Sequence, residues 1–483
     1  MIQLGEWLPD QADIMNSGVT VATNVMPAAI GYHSMNSFVP YSNAATNTIK
    51  GIFAAKDTAS NTKLFAGDAT NLYLHSTSTN NLDSISKVGG YSLVDGEQWR
   101  FVQFGDYVLT AGGIGETVQS FDLGSSSVFA DLLNAPKADF IAVVRDFLWV
   151  ANVDDGSGRT PYRCQWSGFN DIEGWTPGVD QADFQDLPDS GAITGLVGGE
   201  YATVLCEKAI YRATYTGPPL IWQFDKVVSG RGCAFKNSVC NSGNLVFYLA
   251  SDGFMAFDGQ QASPIGSERV NEFFLKDFDS NYDHRMSCSV DPLHEVAMWS
   301  YTSTQSPSGQ PDKIIIYNYV LNKWSLAEVE ADYLAPMFSA GYTVDDLSNL
   351  SPTVDGLSIQ LDSRFFKGGQ YFFGGAYGDK IYTFSGTPMD AIIETGEAPM
   401  SMGSHSIVAR TYPYHEDGDV SVSIGTRNTQ TTAVAYSAAS APNVSGFAPH
   451  RSQGRYHRAK LYLSNGWEKV IGLDVEARKI GRR

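Results

Sequence analysis

Two short apolar runs separated by a tight turn form the pattern that most constrains this chain. It is clearest at residues 244–270, NLVFYLASDGFMAFDGQQASPIGSERV. Residues 245–249 make one apolar run, Asp252-Gly253 a turn, residues 254–257 a second run, and Asp258-Gly259 turns the chain again. Asp-Gly between β-rich runs signals a hairpin, because glycine tolerates the positive φ that tight hairpin turns demand. Repeated every few tens of residues, such a meander closes into a propeller.

The pattern does repeat. Comparable hairpins begin near residues 63, 104, 146, 202, 245, 296 and 371. The spacing, about 40 to 75 residues, is close to the ~40–50 usual for a propeller blade except at its last interval. That interval holds residues 332–370, which read as an inserted loop or subdomain. The expected fold is all-β: an irregular six- or seven-bladed β-propeller over 46–386, preceded by an N-terminal arm over 1–45. Trp7 is expected to anchor that arm against a later domain. After Gly386 the texture changes to five strand-like runs with Asn-Gly, Pro-Asn and Gly-Asp-Gly turns, which predict a C-terminal β-sandwich over 387–483. The best candidate for a short helix lies within 268–278.

Composition supports many short strands joined by tight turns, with 12% aromatic residues and 47 glycines in 483 residues. The net charge of −19 is unevenly spread. Residues 450–483 carry nine Lys/Arg against three Asp/Glu, which leaves −25 on residues 1–449. An acidic body argues against a reader of nucleic-acid sequence, whose footprint is basic. No apolar run approaches the roughly 20 residues of a membrane-crossing helix, so no membrane insertion is expected. The opening MIQLGEWLPDQAD lacks the basic and apolar regions of a secretory signal. Five scattered cysteines, none in a CxxC pair, read as buried free thiols of a reducing cytoplasm, with a Cys233–Cys240 bridge as the alternative.

No constellation of catalytic residues stands out, and neither enzymatic activity nor a cofactor is expected. The eight histidines show no HExxH spacing, and His284 and His294 read as ordinary loop residues. GLVGG at 195–199 lacks the Lys-Ser/Thr of a phosphate loop and reads as a turn before a strand. Asp277-Phe278-Asp279 and Asp154-Asp155-Gly156 place oxygen ligands at alternate or adjacent positions. Weak Ca²⁺ binding is conceivable there, but structural turns are the simpler reading. SGFNDIEGW at 167–175 resembles a degenerate Asp-box, a structural turn of sialidase-like propellers. Trp166, Trp222 and Trp299 suit packing between blades better than sugar platforms.

GEWLPDQADIMNSGVTVATNVMPAAIGY at 5–32, GRGCAFKNSVCNSGNLVFYLASDGFMAFDGQQASPIGSERVNEFF at 230–274, and SVDPLHEVAMWSY with IIIYNYVLNKWSL within 289–326 are three segments with a shared texture. They resemble tail hub, or nozzle, proteins of short-tailed bacteriophages, also called packaged-DNA stabilisation proteins. The basic strand GRYHRAKLYL and the strand after it look like the end of the same proteins. The resemblance implies a structural virion protein made in the host cytoplasm. It would be a homohexameric ring under the portal-adaptor complex, near the tail needle or tail fibres, retaining packaged DNA and forming the channel for its ejection. An acidic channel would let passing double-stranded DNA slide without sequence-specific binding. The basic C-terminal layer, with Arg455, Arg458 and Lys460, would face acidic neighbours in assembly. The alternative is a glycan-binding or glycan-cleaving propeller at the tail tip, which requires clustered carboxylates and exposed Trp or Tyr in an axial pocket.

Overall fold

A computed structural model describes residues 1–339, 369–400 and 404–481. Among these residues the strands build seven four-stranded antiparallel blades, at 51–84, 100–131, 137–186, 193–229, 240–264, 287–327 and 333–388. The hairpins read from sequence are the second and third strands of these blades. Leu245–Ala250 and Gly253–Phe257, for example, pair through the Asp252-Gly253 turn. Gly253 has φ +129, and a Cβ there would fall 2.0 Å from the Asn271 side chain. That close approach has a purpose: the Asn271 side-chain oxygen accepts a hydrogen bond from the Phe254 amide, tying the turn to the helix Asn271–Asp277.

Three boundaries differ from those expected. The strand Asn36–Pro40 belongs to the seventh blade, where it pairs with Lys380–Pro388 as the outermost strand. Phe38 stacks there on Tyr382 and Phe384, with ring centroids 5.0 and 4.6 Å apart. A segment from the start of the chain thus closes the propeller ring, a pairing no local signal announces. The proposed insertion at 332–370 starts as the innermost strand of that same blade, Tyr333–Phe338, and its residues 340–368 lie outside the described residues. The remainder of the expected arm does not stand alone. Ile2–Gln3 and Tyr32–Ser34 pair with Lys469–Gly481, and Val19–Thr23 pairs with Ala391–Thr395.

The sandwich therefore draws on the N-terminal segment as well as on 387–483. One of its sheets runs through Val25–Pro27, Tyr32–Ser34, Lys469–Gly481, His405–Glu416 and Ala448–Gly454. The other continues the sixth blade. Outermost strand Lys323–Ala327 meets Val19–Thr23 in parallel at Thr23 and Leu326, and the same sheet proceeds through Ala391–Thr395, Tyr456–Ser464, Asp419–Arg427 and Ala435–Tyr436. Blade and sandwich thus share a nine-stranded sheet.

They also share a core. Trp7, Phe247, Phe254, Phe274, Trp299, Trp324, Leu461 and Trp467 belong to one buried apolar cluster. Trp7 packs edge-on against Phe273 at 5.1 Å, the anchoring role expected of it. Each large aromatic buried this way contributes on the order of 3 kcal/mol, so the two parts are fused rather than tethered. Between blades three and four, Trp149 lies 5.0 Å from Trp166 and 4.9 Å from Trp222. Trp166, Trp222 and Trp299 are all buried packing residues.

Candidate functional site

A propeller converges its innermost strands on one axis. Seven innermost strands, or the loops beside them, enclose a cavity of about 370 Å³ here, lined by residues such as Phe53, Arg100, Phe140, Leu196, Asn237, Cys288 and Tyr333. GLVGG contributes its first three residues to this wall. They lie within the strand Ile193–Val197, not in a turn before it, and the register shifts between Ile193 and Gly195. The wall contains neither Asp nor Glu among the described residues, and no Trp. The paired carboxylates that glycan cleavage at the axis would require are absent from that wall.

Arg100 dominates the cavity. It extends from the strand Arg100–Phe104, with its guanidinium 4.4 Å from the centroid of the Phe140 ring. One terminal nitrogen donates to the Asp139 main-chain carbonyl at 2.9 Å, and the other donates to the Asn237 side-chain oxygen. Burial holds its pKa below the usual guanidinium value, with Asp139 acting in the opposite sense. The Asp139 carboxylate itself is taken by others: Lys236 at 3.0 Å, Asn152 at 2.8 Å and Arg159 at 3.4 Å. Burial, reinforced by repulsion from Arg100, lowers the pKa of Lys236.

The residues proposed for assembly occupy three different environments. Arg458 is 7% exposed, and its guanidinium holds Asp13 at 2.6 Å, Glu397 at 2.8 Å and Glu394 at 3.1 Å. It cannot face a neighbour, because its charge is already spent joining the N-terminal segment to the sandwich. Burial alone would lower its pKa, but the hydrogen bonds it donates to those three carboxylates raise it. Lys460 is half-buried, 3.9 Å from Glu394 and 5.6 Å from the Tyr436 and Tyr462 ring centroids. Arg455 is exposed and lies 5.4 Å from the Tyr456 ring. Arg451 and Lys479 are exposed as well. Gly454 and Lys479 both pair with Ser406, so Arg455 and Lys479 emerge at the same end of one sheet.

The remaining candidates resolve into structural roles. Asp277 accepts from the Tyr301 hydroxyl and from Lys313, both at 2.8 Å, and Asp279 accepts from the Asn281 amide. Asp154 accepts from the Gly156 amide, and Asp155 pairs with Arg163 at 3.0 Å. In the Asp-box-like turn, Asp171 accepts from the Glu173 amide and buried Trp175 donates to the Ile172 carbonyl. No group of three His, Cys, Asp or Glu with metal-ligand geometry occurs among the described residues. His284 contacts Asp95 at 3.3 Å and His294 contacts Asp291 at 2.5 Å. All five cysteines are free. Cys233 hydrogen-bonds to Ser238 and the Phe235 carbonyl instead of bridging to Cys240. No described helix is long and apolar enough to cross a membrane.

No family model matches the chain, and no curated protein does. Similar solved structures include the Pan2 WD40 domain of Neurospora crassa, at 10% identity over 64% of this chain and 90% of that one, with a TM-score of 0.37. The extracellular domain of a hybrid two-component system from B. thetaiotaomicron matches at 12% identity over 87% of this chain and 58% of that one, with a TM-score of 0.41. Apo AztD from Citrobacter koseri matches at 9% identity over 89% of each chain, with a TM-score of 0.34. The β-propeller assignment rests on the seven blades themselves.

Proposed function

We propose that this chain is a structural subunit of a bacteriophage tail nozzle, assembling as a ring beneath a portal-adaptor complex and surrounding the path of the exiting DNA. One observation carries the reading. Three segments that separately resemble such proteins, at 5–32, 230–274 and 289–326, contribute Trp7, Phe247, Phe254, Trp299 and Trp324 to a single buried cluster. Resemblance scattered along the chain thus traces one structural unit, the place where propeller and sandwich fuse. The charge distribution supports the same reading. An acidic body repels phosphate and lets a duplex slide, while exposed cations on the sandwich suit an acidic neighbour.

The structure moves the proposed contact away from Arg458. The exposed cations Arg451, Arg455 and Lys479 replace it as the proposed assembly-facing set. Reversing all three to Glu should weaken binding to the purified portal-adaptor complex at least about tenfold, since rim charges of this kind each act mainly through attraction at a distance. Unchanged affinity defeats the proposed contact. Negative-stain microscopy of the protein with that complex tests the larger claim: rings at the complex are expected, and a monomer that never joins it overturns the nozzle reading.

A further inference from the structure

A guanidinium removed from bulk water needs an anion or a full set of hydrogen bonds to offset its lost hydration. Arg100 lines the axial cavity, yet it forms no ion pair with any described carboxylate. Its two terminal nitrogens reach only neutral oxygens, the Asp139 carbonyl and the Asn237 amide. The nearest carboxylate, Asp139, is shared between Lys236 and Arg159 and is further satisfied by Asn152. Three cations therefore surround one buried carboxylate. Glu97 adds a weaker attraction, its carboxylate being held by the Val94 amide. The excess positive charge acts on Lys236, whose pKa falls partly because Arg100 is close.

The space beside this charge is neither closed nor featureless. A cavity of about 370 Å³ exceeds a lone ion and falls in the range of small-molecule sites. Its walls include Phe53, Phe101, Leu196 and Tyr333, as well as the Phe140 ring 4.4 Å from the guanidinium. A fixed cation flanked by aromatic and aliphatic surface matches a ligand with one anionic group and an apolar body. We propose that the propeller axis is a binding site for a small organic anion, with Arg100 receiving its carboxylate or phosphate and Asn237 orienting the guanidinium. Arg is suited to this task, since its planar fork meets either group through two parallel hydrogen bonds.

The test uses the full chain at low ionic strength, with benzoate and phenyl phosphate as probes and benzamide as the neutral control. Calorimetric titration should show one site for at least one anion and no binding of benzamide. The anion that binds more tightly identifies the preferred head group. Arg100→Gln should weaken binding at least about tenfold. Asn237→Asp supplies the missing carboxylate beside Arg100 and should abolish binding even though the arginine remains. Asn237 already has φ +72, a conformation Asp adopts readily, so this second variant keeps the test informative if Arg100→Gln does not fold. Absence of binding by either anion in the wild type, equal binding of benzamide, or unaltered affinity in the folded variants would each overturn the proposal.

Discussion

Two arginines, Arg458 buried in the sandwich and Arg100 half-buried at the propeller axis, show how differently the two halves of this molecule use charge. In the sandwich, Arg458 is surrounded by Asp13, Glu394 and Glu397, all supplied by its own chain. At the propeller axis, Arg100 meets two neutral oxygens, the Phe140 ring and the cavity. The same side chain is a fastener in one place and, in the proposed site, an anion receptor in the other. What separates them is the presence of an intramolecular anion, because a desolvated charge is tolerated only when something compensates it.

The largest test of that contrast is Arg458→Met. It leaves Glu394 and Glu397, which are 5% and 1% exposed, with Arg427 and the more distant Lys460 as the compensating cations among the described residues. Breaking a buried pair from one side costs about 3–5 kcal/mol, so the transition that melts the sandwich should move to markedly lower temperature or denaturant. A loss below about 1 kcal/mol would mean that the network is decorative, and the contrast would lose its first half.

The propeller's own fastener is the closing strand. Phe38→Ala removes the stack on Tyr382 and Phe384 from a half-buried position. The expected loss is about 2 kcal/mol, below the cost at a fully buried phenylalanine. Hydrogen exchange should then rise first in Asn36–Pro40 and Lys380–Pro388. Protection unchanged along both strands would show that the ring is held closed elsewhere.

Protonation separates the two regions in another way. Burial lowers the pKa of His75 in the first blade to about 4, and burial also lowers His450 and His457 in the sandwich. Folded, these groups take up a proton less readily than they do unfolded, where they protonate near pH 6.5. The unfolded state therefore binds more protons, and stability falls as pH drops below 6.5, continuing toward pH 4 for His75. Each histidine adds up to about 1.4 kcal/mol per pH unit. His294 runs the other way, since its hydrogen bond to Asp291 raises its pKa and contributes stability that disappears as pH rises through the folded value. Neither His75 ring nitrogen has a hydrogen-bond partner among the described residues. His75→Phe should therefore reduce the acid slope and raise stability at pH 7 by about 1 kcal/mol. An identical slope in that variant would remove His75 from the account.

What the sequence disclosed follows from how local each feature is. The middle hairpin of each blade was legible because Asp252-Gly253 and its equivalents encode their turns within a few residues. Asn36–Pro40 was not, because its partner strand begins at Lys380 and no turn connects them. The union of blade six with the sandwich was hidden for the same reason, being a parallel contact between Thr23 and Leu326. Charge counting placed Arg458 on a basic face, but a sum over 450–483 cannot tell a paired cation from a free one. Arg100 offered a fainter signal, a single arginine in WRFVQF where every neighbour but one is apolar. Its meaning emerges only when seven strands bring Asp139, Lys236 and Asn237 to one axis.

The smallest expected effect is the sharpest test of that meaning. Arg100→Met leaves the Asp139 carbonyl and the Asn237 side-chain oxygen without a donor, and two such hydrogen bonds contribute about 1 kcal/mol each. Against this, methionine relieves the desolvated charge and its repulsion of Lys236, whose pKa should rise toward the ordinary lysine value. The two contributions oppose each other, so the net change in stability should stay within about 1 kcal/mol of zero. Chemical denaturation beside Arg458→Met makes the comparison direct. If Arg100→Met costs as much as Arg458→Met, then Arg100 is a strut that the fold depends on, and an anion has no need to complete it. If the chain tolerates its loss while the axial site no longer takes up an organic anion, the guanidinium is retained for what it binds.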